Sequence, residues 1–317
     1  MKAFVYDAYG PPEVLYAKEI LSPIPKNTEL LVRVHASSVS AGMNWMRKGE
    51  FPGSKLFTFL LRLQFGISKP KQPILGCEFS GIIEAIGKDV KRFKNGDAVY
   101  GTTTGLANGA YADYVCVPEL PRHGVVMLKP TQLTFSEAAA LPVGGMTALQ
   151  ILQKNDLKFQ SRILIYGASG SVGSYAVQIA RYFGAHVTAV CSTANLGWVK
   201  AIGAHEVIDY TSPGWWQKTK KFDLVFDAVG KLPASQRKSL LGKRGKFCST
   251  KCMTYEKASY LELLQKIIAE GKLKPIIDKV YLFEQMVEAH HHVDLGHKKG
   301  NIIINHAPQD SLLPKHI

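Results

Sequence analysis

Short stretches in which apolar and polar residues alternate fill the first part of the chain. They lie at residues 2–7, 29–37, 80–86, 97–100 and 112–117. Turn-forming Gly, Pro and Asn residues separate them, as in the runs Gly10-Pro11-Pro12 and Asn95-Gly96-Asp97. Alternation with a period of two between turn signals is typical of strands. The pattern therefore predicts a β-rich module over residues 1–125.

The period changes near residue 136, where short apolar strands begin to alternate with helical stretches. Strands are predicted at 162–166, 186–190, 206–209, 223–228 and 245–249, and helices at 171–183, 196–202 and 259–270. This alternation predicts an α/β domain with a doubly wound parallel sheet over residues 126–274. A strand at 279–282, a helix at 284–295 and a strand at 301–305 follow. We expect this tail, 275–317, to rejoin the first module.

One apolar segment stands apart, LFTFLLRLQF at residues 56–65, with Arg62 as its single charge. It is predicted to form a helix. The segment could pack over the core, or its apolar face could line a substrate cleft or contact a membrane surface peripherally.

Composition indicates a reduced, intracellular setting. No stretch reaches the roughly 18 to 20 apolar residues that a membrane-spanning helix needs, and the first residues lead directly into a strand rather than a signal peptide. The five cysteines are odd in number and widely spread, which argues against a disulfide framework. We therefore expect a cytoplasmic protein.

The chain is basic, with 39 Lys and Arg against 25 Asp and Glu, a net charge of +14. These basic residues are distributed along the chain, so they create a diffuse field that attracts anions in general. No pattern of interleaved aromatic and basic residues suggests RNA recognition. A solvated basic surface is therefore favoured over nucleic-acid binding.

The strongest motif is YGASGSVG at residues 166–173, which follows an apolar strand and opens a helix. Gly167 permits a tight turn, Gly170 lets backbone amides approach a diphosphate, and Gly173 allows the helix to pack closely. The first amides of the helix, at Ser171 and Val172, would face the phosphates. The motif predicts a Rossmann dinucleotide site, although glycines at this spacing also occur in ordinary tight turns.

The end of the second strand indicates which dinucleotide is bound. NAD sites usually place Asp or Glu there to bind the ribose 2′-hydroxyl, whereas this chain has Ser192 and Thr193. Two hydroxyls and no carboxylate favour NADPH over NADH. The alternative is that both residues only cap the following helix.

Ordered motifs along nearly the whole chain resemble one family. They are MKAFVYDAYGPPEVL at the start, PILGCEFSG at 73–81, FKNGDAVYG at 93–101, GAYADY at 109–114, AAALPVGGMTAL at 138–149, the glycine motif, GAHEVIDY at 203–210, FDAVG at 226–230 and GNIII at 300–304. In these motifs the chain resembles the medium-chain dehydrogenase/reductase superfamily, and within it the zinc-independent quinone oxidoreductases.

The resemblance implies a GroES-like β-rich domain built from both chain ends, a central Rossmann domain, and a cofactor in the cleft between them. It implies that Thr147 lies near the nicotinamide, Val229 and Gly230 near the cofactor ribose, and Tyr210 near the adenosine phosphate. Asn195 stands where relatives often have a basic residue.

The resemblance also implies that no zinc is bound. Where zinc-dependent relatives have Gly-His-Glu, this chain has Gly76-Cys77-Glu78, and the segment that carries cysteines in those relatives has only Cys116 between residues 97 and 139. One thiol beside one carboxylate cannot complete a tetrahedral site. The run His290-His291-His292 does not help, because adjacent positions on a helix point in different directions.

Without a metal the acceptor must itself be reactive, as quinones and α,β-unsaturated ketones (enones) are. The protein then has to position the reactants and supply donors to the developing oxyanion. Ser40, Asn44 and Tyr111 are the candidate donors. Ser40 and Met43 lie where many relatives carry Asn and Asp. For Asn44 and Tyr111, a packing or surface role fits the sequence equally well.

Two other functions and the assembly state stay open at this stage. A zinc alcohol dehydrogenase would need ligands that the sequence lacks. A non-enzymatic NADPH sensor could bind RNA or a membrane through the basic surface.

Relatives usually fit another strand into the link that here spans residues 248–258, and this strand extends the sheet across a dimer. The short link lacks this strand, which argues against the usual homodimer and leaves the oligomeric state undecided.

Overall fold

The computed structural model describes residues 1–51, 53–103 and 107–306, which divide into two compact units. The first unit comprises Met1–Pro142 together with the chain from Ile277 onward. The second comprises Val143–Ile276. Each unit has its own sheet and its own hydrophobic core.

Strands and short helices make up both units. The strands are β1 (Lys2–Val5), β2 (Tyr16–Glu19), β3 (Glu29–Val39), β4 (Glu78–Ile86), β5 (Ala98–Thr102), β6 (Tyr114–Pro118), β7 (Val125–Leu128), β8 (Arg162–Tyr166), β9 (His186–Cys191), β10 (Glu206–Asp209), β11 (Phe222–Asp227), β12 (Leu241–Ser249), β13 (Ile277–Leu282) and β14 (Asn301–Asn305). The helices are α1 (Ala41–Lys48), α2 (Lys55–Phe65), α3 (Phe135–Ala140), α4 (Pro142–Lys154), α5 (Ser171–Tyr182), α6 (Leu196–Ala201), α7 (Ala234–Leu240), α8 (Ala258–Ala269) and α9 (Met286–Asp294). Single 3-10 turns lie at Pro12–Val14, Thr193–Asn195, Trp215–Gln217 and Phe283–Gln285.

The first unit is built around a sheet with the strand order β13-β14-β3-β4-β5-β7, and β6 also pairs with β3. Alternate residues of β3, namely Leu30, Val32 and Val34, point into a core that also contains Phe79 and Ile83, as the period-two pattern predicts. β14 pairs antiparallel with the end of β3. The tail of the chain therefore completes the N-terminal sheet, as expected from the sequence.

The second unit has a five-stranded parallel sheet with the order β10-β9-β8-β11-β12. β8 is central, and its residues Ile163, Leu164 and Ile165 are fully buried, because helices cover both faces of such a sheet. The chain runs outward from β8 on one side and returns to pair β11 on the other. The carboxyl ends of β8 and β11 therefore flank a topological switch point, where ligands bind in open parallel sheets.

The boundary between the units lies later than the sequence prediction of 125/126. That prediction falls inside β7, which pairs antiparallel with β5 and so belongs to the first sheet. The next helix, α3, packs Ala139 and Ala140 against Ala36 and Ile303. The first unit therefore extends to Pro142, and the tail joins it at Ile277 rather than at residue 275.

The apolar segment at 56–65 forms the predicted helix, α2. Ser54 begins it, since its side-chain oxygen accepts the amide hydrogen of Phe57 at 3.2 Å, a standard N-cap. Among the described residues no helix combines the length and apolar character that a membrane crossing demands.

Candidate functional site

The glycine motif forms a turn between β8 and α5 that two of its glycines make sterically possible. Gly167 has a φ of +77°, and a Cβ atom there would lie 2.6 Å from Cγ1 of Val229. A Cβ atom at Gly173 would lie 2.2 Å from the carbonyl oxygen of Gly167. Both distances are far below van der Waals contact. The turn itself therefore explains why these two positions are glycine.

Gly170 has no comparable explanation within the fold. Its φ of −80° and ψ of 176° suit any residue, and an added Cβ atom would meet only the Gly167 oxygen, at an ordinary 3.5 Å. Gly170 is the N-cap of α5, and the first hydrogen bond within the helix runs from Ser174 N–H to the Gly170 carbonyl. The helix thus supplies no acceptor for the N–H groups of Val172 and Gly173. The bare backbone at Gly170 leaves space beside them for an anion.

Asp227, at the end of β11, fixes the opposite side of this crevice, and the sequence analysis did not name it. Its buried carboxylate accepts the N–H groups of Val229 at 3.1 Å, Gly230 at 2.8 Å and Leu232 at 2.8 Å. These bonds hold the loop whose Val229 side chain touches the glycine turn. The sequence carried a signal for this role, an Asp that closes an apolar strand three residues before a glycine.

Helix α4 carries Thr147 and contacts the start of α5. A Cβ atom at Gly144 would lie 2.4 Å from Oγ of Ser171 and 2.9 Å from the ring of Tyr175. Thr147 is half-buried and lies three residues after Gly144, so both share one face of α4. The structure therefore brings the helix that carries Thr147 against the glycine motif.

Tyr210 lies at the same edge of the sheet. Its amide donates to the carbonyl of Cys191 at the end of β9, and its ring lies 6.1 Å from that of Tyr166. Tyr166 directly precedes the glycine motif and stacks on Trp215. Burial raises the pKa of Tyr166, and the nearby charge of Asp227 adds to this effect. The hydroxyl therefore stays protonated at neutral pH.

The sequence has no carboxylate at the end of the second strand, β9, but the fold brings one there from the neighbouring strand, so the expectation that none lies at this place is wrong. Asp209 ends β10, which is parallel to β9, so the two strand ends meet at one edge. The Thr193 hydroxyl donates to the Asp209 carboxylate. Hydrogen bonds from Thr193 and Thr211 hold the pKa of this carboxyl below its usual value. A negative charge therefore lies beside the residue that was predicted to bind a 2′-phosphate.

Ser192 and Asn195 form a small network next to Thr193. The Asn195 amide donates to Ser192 Oγ at 2.9 Å, and its carbonyl oxygen accepts from the Trp198 indole at 2.8 Å. Asn195 is buried, and both polar ends of its side chain are hydrogen-bonded within the protein. Ser192 accepts in this contact and can still donate its hydroxyl hydrogen to a ligand.

The three candidate donors gather around the junction of β3 and α1 in the first unit. Ser40 is the N-cap of α1, where its Oγ accepts from the Met43 amide at 3.4 Å. In this contact the Ser40 hydroxyl acts as an acceptor, so its hydrogen remains available for a ligand. Ser40 is half-buried.

Asn44 is held in an ion-pair network between α1 and α9. Its amide donates to Asp294 at 2.8 Å, and the same carboxylate accepts from Arg47 at 2.6 Å and Lys48 at 2.7 Å. Arg47 is fully buried, and a buried guanidinium requires such a partner. The structure thus gives Asn44 a packing role, and its role as a donor to substrate stays a prediction.

Tyr111 is fully buried, and its hydroxyl donates to the carbonyl of Ser38 at 3.1 Å. Burial raises its pKa well above the usual value, and the neighbouring Cys77 and Glu78 add to the shift. Its ring meets the buried His290 edge to face. Burial, together with the charge on Arg47, lowers the pKa of His290 to about 3, so this imidazole is neutral. A role for Tyr111 as an oxyanion donor is likewise a prediction.

Cys77 and Glu78 are two of the residues from which the sequence predicts that no zinc is bound. Cys77 is buried, and the Glu78 carboxylate accepts the hydroxyl of Ser38. No three His, Cys, Asp or Glu side chains converge as metal ligands in residues 1–51, 53–103 and 107–306. His291 and His292 contact Glu13 and Asp278 respectively, while His290 points into the core.

Family models match most of the chain. The model described as alcohol dehydrogenase GroES-like domain matches residues 26–129. Two models described as zinc-binding dehydrogenase match residues 171–274 and 252–304.

Individual proteins match nearly all of this chain. A chloroplastic quinone-oxidoreductase homolog from Spinacia oleracea is 31% identical over 96% of this chain and 98% of its own length. A chloroplastic NADPH-dependent alkenal/one oxidoreductase from Arabidopsis thaliana is 27% identical over 97% of this chain and 80% of its own. The structure of the quinone oxidoreductase from Coxiella burnetii superposes with a TM-score of 0.84 at 27% identity, covering 97% and 99% of the two chains.

Proposed function

This chain is an oxidoreductase that belongs to the quinone oxidoreductase branch of the medium-chain dehydrogenase/reductase superfamily, and we propose that it passes a hydride from NADPH to a quinone or an enone without a metal ion. The observation that carries the proposal is the turn at Gly170, where the fold has room for a Cβ atom and the sequence has none. Ligand approach supplies the missing reason.

The chain's own residues fit a dinucleotide. The amides of Val172 and Gly173 can donate to a diphosphate at the start of α5. The loop that Asp227 holds forms the other wall of the crevice. Thr147 lies on the helix that contacts the motif, and the Tyr210 ring lies 6.1 Å from that of Tyr166. We assign Thr147 to the nicotinamide end and Tyr210 to the adenosine end. Bound NADPH would supply the hydride.

A quinone or an enone suits a site without a metal ion because hydride addition leaves a delocalised anion on the acceptor. The protein then has to donate to that oxygen and let a proton reach the product. Ser40 is the best placed of the three candidates, since its hydroxyl hydrogen is available. The Arabidopsis relative, named for NADPH and for alkenals and alkenones, supports this cofactor and acceptor class.

The direct test is NADPH consumption by the purified protein with a panel of quinones, enones and simple aldehydes, run in parallel with NADH. We expect turnover with quinones or enones, little with aldehydes, and no loss of activity after dialysis against a metal chelator. Turnover that depends on added zinc, or turnover restricted to alcohols and simple aldehydes, would contradict the proposal. We also propose, from the sequence, that the protein is located in the cytoplasm.

Ser40→Ala should lower kcat with a quinone by about tenfold to a hundredfold, with little change in KM, because one donor to the developing oxyanion is lost. The substitution also removes a helix cap, which costs about 1 kcal/mol of stability. Ser54→Ala is the matched control, since it removes the same kind of cap from α2 and should leave kcat unchanged. Equal activity of the two variants would remove Ser40 from the mechanism.

Asp209→Asn should shift the ratio of NADPH to NADH affinity toward NADPH by about fivefold at low salt, because a carboxylate beside Thr193 repels a 2′-phosphate. Calorimetric titration with both cofactors measures this ratio. Asp223→Asn is the control, since Asp223 accepts the Arg162 amide at the opposite end of the strands. If both variants gave the wild-type ratio, the 2′-phosphate would not bind near Thr193.

A further inference from the structure

Helix α2 exposes an apolar surface that the first unit does not cover. Five side chains, defined here as the α2 face, are 45–66% exposed: Leu56, Phe57, Phe59, Leu60 and Leu63. At 100° per residue, four of them fall within a single stripe and Phe57 flanks it. Single exposed apolar residues are ordinary on protein surfaces, whereas a contiguous patch of large ones marks an interaction site.

The opposite side of α2 is fastened to the unit, so the α2 face has a fixed orientation. Arg62 Nε donates to the carbonyl of Gly49 at 3.0 Å, and its guanidinium lies over the ring of Tyr9. The Tyr9 hydroxyl donates to the Gly66 carbonyl at 2.7 Å. Thr58 exchanges hydrogen bonds with the backbone of Phe51. The apolar side chains therefore point outward because the polar side of the helix is held inward.

The segment of the chain that contains α2 carries charges of one sign. Residues 51–77 contain Lys55, Arg62, Lys69 and Lys71 and no Asp or Glu. All three lysines are exposed. The whole chain carries a net charge of +14. An apolar stripe bordered by lysines matches a bilayer with anionic headgroups, in which the apolar side chains enter the acyl boundary and the lysines meet the headgroups.

We propose that the α2 face docks the protein on an anionic lipid bilayer. The stripe explains insertion and the lysines explain the preference for negative headgroups. A second copy of this chain would meet the same positive charges on its own α2 face, which disfavours pairing of two such faces.

Docking through α2 would also place α1 close to the membrane. Aromatic rings connect the two helices, since Trp45 of α1 contacts Phe51, and Phe51 contacts Phe57, each with ring centres 5.3 Å apart. Ser40 begins α1. A lipophilic acceptor dissolved in the bilayer would thus be met next to the candidate donor. Docking itself does not depend on the proposed reaction.

The test is co-sedimentation with vesicles of phosphatidylcholine alone and of phosphatidylcholine with phosphatidylserine, without cofactor or acceptor. We expect binding to the anionic vesicles, and a drop of about tenfold or more in the partition coefficient for the double variant Leu60→Glu with Leu63→Glu. The control double variant, Leu120→Glu with Leu295→Glu, adds the same charge at two leucines that are each 70% exposed and should bind within about twofold of the wild type.

Three results would overturn the proposal. The first is no binding to anionic vesicles. The second is an equal loss in both double variants, which would show a general charge effect. The third is a wild-type dimer that the Leu60 and Leu63 substitutions dissociate in solution while vesicle binding is unchanged, which would assign the α2 face to a second copy. Unchanged circular dichroism of both variants serves to confirm that α2 is still folded.

Discussion

Gly170→Val should raise the dissociation constant for NADPH by about a hundredfold or more while the melting temperature stays within about 4 °C of the wild type. The backbone at this position is extended, and an added Cβ atom meets only one protein atom at ordinary contact. The fold therefore accepts a Cβ atom at this position. The diphosphate does not, because the side chain occupies the space from which it would reach the amides of Val172 and Gly173.

Gly197→Val is the matched control for this loss of binding. Gly197 lies in α6, and a Cβ atom there has no neighbour within 4 Å. The same chemical change should leave NADPH affinity unchanged. Calorimetric titration of the three proteins decides the matter, and wild-type affinity in the Gly170 variant would mean that the diphosphate binds elsewhere.

Gly173→Ala should have the opposite profile and destabilise the protein by about 3 kcal/mol or more. The added Cβ atom would lie 2.2 Å from the Gly167 oxygen and 2.8 Å from Cα of Ala168. Both neighbours are backbone atoms, so no side-chain rotation relieves the clash. Helix α5 would have to move away from β8, although its buried residues Ala176 and Ile179 pack in the core of the second unit.

Urea unfolding measures this loss, with the slope as a check that the unfolded state has not changed. The two glycine variants together separate binding from folding: one loses affinity at constant stability, and the other loses stability. A Gly173 variant as stable as the wild type would mean that α5 is not packed this closely on the turn.

Local patterns predicted much of the fold and of the dinucleotide site. The strand at 162–166, the turn and the helix from Ser171 are continuous in sequence, so the signals that predict all three lie within one short segment. The glycines of the turn could be identified because their spacing, directly after an apolar strand and at the start of a helix, is the pattern of a dinucleotide-binding turn. The alternation in β3 likewise predicted its buried face.

The carboxylate beside Thr193 was missed because it comes from a different strand. Asp209 follows Thr193 by sixteen residues, and the parallel pairing of β9 with β10 brings them together. Both strands could be predicted from the sequence, but their order in the sheet could not. Only that order shows that the negative charge beside Thr193 comes from Asp209 rather than from a residue of β9.

Helix α1 shows why polar residues can mislead. Asn44 and Arg47 are spaced by three and look like one solvated face of a short helix. They are buried instead, because Asp294, 247 residues after Arg47, supplies the partner that makes burial of a guanidinium tolerable. No local signal in the sequence connects α1 with α9, so the sequence could not decide between a packing role and a donor role for Asn44.

A dinucleotide diphosphate should bind the amides at the start of α5, and a crystal structure of the protein grown with NADPH would show whether it does. We expect diphosphate oxygens within about 3 Å of the Val172 and Gly173 nitrogens, beside the bare backbone of Gly170. A dinucleotide bound at any other edge of the second unit, with the turn filled by the protein's own side chains, would contradict it.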